Sequence, residues 1–146
     1  MDDYRELLDA AIQARHNAYA PYSHFRVGAA LLTKDGEIFT GCNVENASYP
    51  AGICAERTAL VKAVSEGKRE FTAIAVAGSM EHFNDAGELK DELTSLSFPC
   101  GICRQMLREF VDPGSFFVLT ADPEGKLVKF TLSQLLPESF GPENLA

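Results

Sequence analysis

No run of Lys or Arg occurs anywhere in the 146 residues, and the formal net charge is −8. Phosphate contacts supply most of the affinity of a nucleic-acid binder. An acidic chain without a basic track therefore argues against a folded DNA- or RNA-binding protein. No segment approaches the roughly 20 apolar residues that cross a bilayer, so no membrane partner is expected. A basic stretch followed by an apolar run is missing too. The chain begins MDDYRELLDA, acidic and amphipathic, and no secretory leader is expected. Internal repeats, low-complexity tracts and linker-like shifts in composition are also absent. Residues 1–146 are expected to be a single domain, long enough to bury one substantial core.

There are only four cysteines. They could make two disulfides, but the missing leader and the tight Cys100-Gly101-Ile102-Cys103 spacing favour reduced thiols in a cytoplasmic protein. Metal binding is the better reading. Hydrophobic residues at 46% and charged residues at 23% are ordinary for a globular chain.

Residues 2–19 read as a helix, with Leu7, Leu8, Ala11, Ile12, Ala14 and Ala18 at helical spacing, Asp2 or Asp3 as cap and Pro21 as stop. Phe25–Thr33 and Glu37–Cys42 flank the turn residues Lys34-Asp35-Gly36 and read as a hairpin. Asn43–Gly52 is a loop. Cys54 opens the helix AERTALVKAVSEG, which Gly67 ends. Phe71–Ala77 is a short apolar run suited to a buried strand. Pro99 leads into a helix over Cys100–Val111, followed by strands at Ser115–Thr120 and Lys126–Phe130 around the turn Asp122–Gly125. A short helix, Thr131–Leu136, precedes the tail. Within Ser79–Ser97, Leu89, Leu93 and Leu96 stand at helical spacing and predict a short amphipathic helix. The order implies an α/β fold, a three-layer α-β-α sandwich around a mixed five-stranded sheet, since alternating elements cover both faces of a sheet.

Two segments carry the chemistry: Cys54-Ala55-Glu56 and Pro99-Cys100-Gly101-Ile102-Cys103. Cys54 and Cys100 each sit where a loop enters a helix, and open N–H groups and the dipole favour a thiolate there. Cys103 is less than one turn beyond Cys100, so their sulfurs can converge on one ion. Zinc with four protein ligands is structural; zinc left one short works on water. Glu56, two residues from a ligand, is what such a water needs as proton carrier. Acidic residues are also common in a first helical turn for dipole reasons alone. Three convergent cysteines beside it favour the catalytic role. Arg57 can donate N–H groups to the ligand sulfurs and offset the net negative charge of a three-thiolate zinc site. A solvated surface arginine fits the same spacing equally well. Cys42 is the competing fourth ligand, which would seal the site, but it lacks a nearby second cysteine and reads as a buried free thiol. His16, His24 and His82 have no ligand spacing to the cysteine pair.

With these residues in view, the chain resembles the cytidine deaminases of the small homotetrameric kind that act on free nucleosides. The resemblance covers nearly the whole length. It rests on YAPYS at Tyr19–Ser23, VGAA at Val27–Ala30, GCNVEN at Gly41–Asn46, CAERTA at Cys54–Ala59 and PCGICRQ at Pro99–Gln105. His or Cys before a Glu, with a later Pro-Cys-x-x-Cys, is the known signature of the zinc deaminases as a class. The resemblance implies that Cys54, Cys100 and Cys103 hold one Zn²⁺ per subunit and that Glu56 shuttles the proton. It makes Asn43 and Glu45 the sugar-binding pair, and residues two apart on an extended chain do face the same side. Loop capping is the other use for such residues. Phe25 matches an aromatic lining the substrate pocket, although a Phe in a strand is core by default. Phe140 aligns with an aromatic lent to the neighbouring subunit's site in a homotetramer. Backbone N–H groups around Ala55 can hold the pyrimidine carbonyl.

One departure from the family is the stretch Ser79–Ser97, longer than the compact loop usual in the small tetrameric enzymes, which leaves substrate breadth and assembly details open. The implied activity is hydrolytic deamination of cytidine and 2′-deoxycytidine to their uridine counterparts plus ammonia. Three alternatives stand behind it. One is a related deaminase of another amino-bearing nucleoside or analogue, another a polynucleotide deaminase, which would need basic or aromatic tracks. The third is a non-enzymatic zinc module with Cys42 as a ligand.

Overall fold

The computed structural model describes residues 4–90, 92–93 and 96–145. Leu7, Leu8 and Ala11 share one face of the first helix, α1 (Arg5–Ala14), and are fully buried. The helix is shorter than the expected 2–19, and its Asp2 or Asp3 cap lies outside the described residues. After Ala14 the chain tightens into a 3-10 turn, Arg15–Asn17, where the buried Arg15 donates its Nε to the Ile12 carbonyl at 2.9 Å. That bond satisfies a carbonyl left open by the ending helix, so the helix closes well before Pro21.

The strands are β1 (Phe25–Thr33), β2 (Ile38–Cys42), β3 (Phe71–Met80), β4 (Phe117–Ala121) and β5 (Leu127–Thr131). They form the expected mixed five-stranded sheet, in the order β2-β1-β3-β4-β5. β1 is antiparallel to β2 and β3, β3 and β4 are parallel, and β5 returns antiparallel to β4. β3 runs past Ala77, where the apolar run ends, because Gly78, Ser79 and Met80 pair with Val27, Arg26 and Phe25. Pairing across the sheet overrides the poor strand propensity of Gly.

The remaining helices are α2 (Ala55–Ser65), α3 (Gly101–Arg108) and α4 (Leu132–Leu135). Side chains alternate across each strand. Ala29, Leu31, Ile74, Val76 and Val118 pack with Ala59 and Leu60 of α2 and Leu107 of α3. Ala30, Leu32, Ala73, Ala75, Ala77 and Leu119 pack against α1. Helices thus cover both faces, giving three layers. Gly67 ends α2 as expected: it takes φ +93°, and the Lys68 N–H reaches the Ala63 carbonyl at 3.0 Å. This is the long closing bond of a glycine-capped helix.

Gly41 sets how closely α2 lies over β2. A Cβ there would stand 2.5 Å from Ala59 N and 2.7 Å from the Ala55 carbonyl. Both obstacles are backbone, in the helix whose start carries Cys54 and Glu56. Gly41→Ala should therefore destabilise the protein by about 1–3 kcal/mol, read as a lower midpoint in urea unfolding. An unchanged midpoint would show that α2 does not depend on this approach.

The short amphipathic helix expected within Ser79–Ser97 is not found among the described residues there. Instead Asn84 folds a turn, its Oδ1 accepting from the N–H groups of Ala86 and Glu88 at 2.9 Å each, and Gly87 adopts φ +80°. Phe83 and Leu89 then bridge antiparallel. The three leucines go separate ways: Leu89 to that bridge, Leu93 into the core under α1, and Leu96 to a cavity wall. Asp91, Thr94 and Ser95 lie outside the described residues.

Candidate active site

Cys54 and Cys100 are the residues immediately preceding α2 and α3, both in extended conformation, with Pro99 fixing the approach to the second helix. Cys103 lies in the first turn of α3 and is 1% exposed. The fold brings these two helix starts together. Cys54 Sγ is 3.8 Å from Cys100 Sγ, which is 3.4 Å from Cys103 Sγ, and all three sulfurs lie within 4.8 Å of one another. Thiolates at the usual zinc–sulfur length form a tetrahedron with edges of about 3.8 Å, so the donor set fits zinc. Cys42 does not join the group. It closes β2 opposite Gly28, and burial pushes its thiol pKa up.

The sulfurs are short of positive charge. A hydrogen bond from Cys103 and the nearby Arg57 guanidinium lower the Cys54 pKa to about 5. Cys103 is pushed far up because it holds the proton shared with Cys54, is buried, and faces Glu56. Packed this tightly, the thiols retain a proton between them unless a cation replaces it. Arg57 donates Nη2 toward Cys54 Sγ at 3.8 Å, and its Nε is buried with no partner among the described residues. Of the two readings open from spacing, the arginine facing the sulfurs is the observed one.

Glu56 stands in the first turn of α2 and is 4% exposed. Burial, then the neighbouring Cys54 charge, raise its pKa to about 7. It shares a cavity of about 330 Å³ with Cys54, Cys100, Phe25, Val27, Asn43 and Ala55. A second cavity, about 520 Å³, meets the first at Asn43 and Cys54 and carries Glu45, Tyr22, Tyr49 and Arg57.

Asn43 accepts at Oδ1 from the Val27 N–H at 2.9 Å and donates Nδ2 to the Phe25 carbonyl at 2.8 Å. Glu45 Oε1 accepts from the N–H groups of Tyr22 at 3.0 Å and Ser23 at 3.1 Å, and Oε2 accepts from the Ser23 hydroxyl. Both side chains therefore organise the loop around them. An amide offers two donors and two lone pairs, and a carboxylate about four acceptor sites, so each keeps capacity toward a ligand. Phe140 is exposed and lies with Gln105, Glu109 and Leu145, outside both cavities of its own chain. Leu96, Ser97 and Phe98 also line the smaller cavity. The sequence singles out none of them as a site residue, because nothing in that stretch carries a motif.

A family model described as the cytidine and deoxycytidylate deaminase zinc-binding region matches residues 1–119. The cytidine deaminase of Halalkalibacterium halodurans is 45% identical over 143 residues, 98% of this chain and 98% of the relative. The cytidine deaminase of Sporosarcina psychrophila is 43% identical over 144 residues, covering 99% and 96%. The crystal structure of cytidine deaminase from Burkholderia pseudomallei superposes with a TM-score of 0.79 at 45% identity, covering 94% of this chain and 98% of that one. No helix among the described residues is long and apolar enough to cross a membrane.

Proposed function

Because the chain belongs to the cytidine and deoxycytidylate deaminase family, we propose that it hydrolyses cytidine and 2′-deoxycytidine to uridine and 2′-deoxyuridine, releasing ammonia. The observation that carries this reading is Glu56: a carboxyl 4% exposed, in one cavity with Cys54 and Cys100. Cys54, Cys100 and Cys103 would hold a zinc ion, which when bound would lower the pKa of a water molecule from about 15.7 towards roughly 7.

Glu56 does the proton work. Its carboxylate accepts the proton of the attacking water and passes it to ring N3 as the new C4–O bond forms. It then takes the second proton, from the hydroxyl now on C4, and delivers it to the amino nitrogen as the C4–N bond breaks, leaving the C4 carbonyl and ammonia. A carboxyl held near neutrality by burial is suited to both halves. Ala55 is the first residue of α2, so its N–H has no acceptor within the helix and can hold the pyrimidine carbonyl. Phe25 packs on the base. Asn43, at the junction of the two cavities, and Glu45, on the wall of the larger one, take the sugar hydroxyls with their remaining capacity. Arg57 draws negative charge from the Cys54 sulfur.

The single domain of residues 1–146 is assigned to a cytoplasmic homotetramer. Phe140 and Leu145, large apolar groups more than half exposed, adjoin on one surface cleft, and contiguous exposed apolar groups are the kind of surface that a partner covers. The Phe140 carbonyl accepts from Gln105 Nε2 at 2.9 Å, which ties the tail to α3 and leaves the ring free to enter a neighbour's site.

Ammonia release from a panel of amino-bearing nucleosides tests the reading. Cytidine and 2′-deoxycytidine should both be turned over, and a chelator should abolish the activity. Turnover confined to another nucleoside would replace the substrate while keeping the zinc chemistry. No turnover on any would leave a non-enzymatic zinc module.

A further inference from the structure

One polar group in the smaller cavity has no task in the scheme above. Ser97 is 8% exposed, and its hydroxyl is buried without a hydrogen-bond partner among the described residues. A buried hydroxyl normally finds a partner, and exceptions call for an explanation such as a ligand or an ordered water. The residue is held firmly. Its N–H donates to Thr120 Oγ1 on β4 at 3.2 Å, and its Oγ sits over Gly78 of β3. A Cβ at position 78 would come within 2.4 Å of Ser97 Oγ and 2.9 Å of the Phe25 ring edge. The missing side chain at Gly78 thus makes room for both groups.

The surroundings narrow the use of this hydroxyl. Asn43, bonded at both ends to the β1 backbone, has its remaining capacity assigned to the sugar, and Glu56 carries the proton. Phe25, Val27, Val76, Leu96 and Phe98 are apolar. Among the described residues, Ser97 is the one neutral side-chain hydroxyl on a cavity wall that also holds the aromatic expected to pack on the base.

We infer that Ser97 is a specificity-determining residue whose hydroxyl hydrogen-bonds a heteroatom of the pyrimidine ring and so positions the base against Glu56. The inference rests on the deamination reading. The hydroxyl can donate to a ring carbonyl or accept from an N–H, and it stays desolvated until the base enters. It acts on binding rather than on the bond-making step, so it contributes equally to ground and transition states.

Ser97→Ala separates this from a structural role. KM for cytidine should rise about 3- to 10-fold, the value of one neutral hydrogen bond, with kcat within about twofold. KM for 2′-deoxycytidine should rise by the same factor, since the two substrates share the base. The thermal midpoint of Ser97→Ala should hold or rise, because the variant removes an unpartnered buried group. An unchanged KM overturns the inference, as does a lowered midpoint with unchanged KM, which would mark a hydroxyl serving the fold or a buried water. A KM change for only one of the two nucleosides would place the contact at the sugar and also overturn it. Wild-type protein without turnover on either nucleoside overturns the deamination reading and this assignment together.

Discussion

Glu56→Gln should lose at least about 10²–10⁴-fold in kcat, the range typical of a general acid–base group, while keeping the metal. Gln matches Glu in volume and stays at the start of α2, so the three sulfurs and the cavity are left in place. It cannot accept the water proton, and it has none to deliver to N3 or to the amino nitrogen. The effect should fall on kcat, since the proposed role puts the carboxyl on the reacting atoms. Zinc content and turnover measured on one preparation check this. Near-full turnover with zinc bound would remove Glu56 from its assigned role.

The same substitution has a stability signature in the metal-free protein. The folded-state pKa of Glu56, about 7, lies above the ordinary 4.5. The folded state therefore binds this proton more tightly than the unfolded chain does. The resulting contribution is present below about pH 4.5 and is lost as the pH rises through about 7. Glu56→Gln should remove that part of the pH dependence. Urea midpoints of both proteins at pH 5 and pH 7.5 show it as a smaller decline in the variant.

Cys103→Ser should abolish both zinc retention and turnover, a larger change than any substitution in the cavity wall. Cys103 is 1% exposed, its sulfur accepts a hydrogen bond from the Cys100 thiol at 3.4 Å, and no other His, Cys, Asp or Glu joins the group among the described residues. A serine oxygen is a far poorer zinc ligand than a thiolate. The control is Cys42→Ala, which stands outside the cluster and should keep one zinc per chain and full activity. Metal analysis beside an ammonia assay reads both variants. Loss of zinc from the Cys42 variant would mean that the site is sealed by four sulfurs.

Features fixed by local chemistry were legible in the sequence. The strand Phe25–Thr33, the helix starts at Cys54 and Cys100, and the glycine stop at Gly67 stand where they were expected. Each is decided by residues within a turn of it. Features decided by distant partners were not legible. β3 gains Gly78–Met80 from its pairing with β1. The spacing of Leu89, Leu93 and Leu96 suggests a helix, but the turn at Asn84–Gly87 redirects the chain. Arg57 fitted surface or site equally until the fold placed Cys54 beside it. Ser97 acquires its setting from Thr120 and Gly78 on two different strands, and no spacing within Ser79–Ser97 encodes that.

Everything in the mechanism depends on an ion gripped by three thiolates whose remaining direction belongs to solvent. X-ray absorption at the zinc edge of the purified protein tests this most directly. One zinc per chain, with three sulfur scatterers at about 2.3 Å and a single lighter scatterer, is the expected result. Four sulfurs around the zinc, or a protein that binds no zinc, would contradict the account.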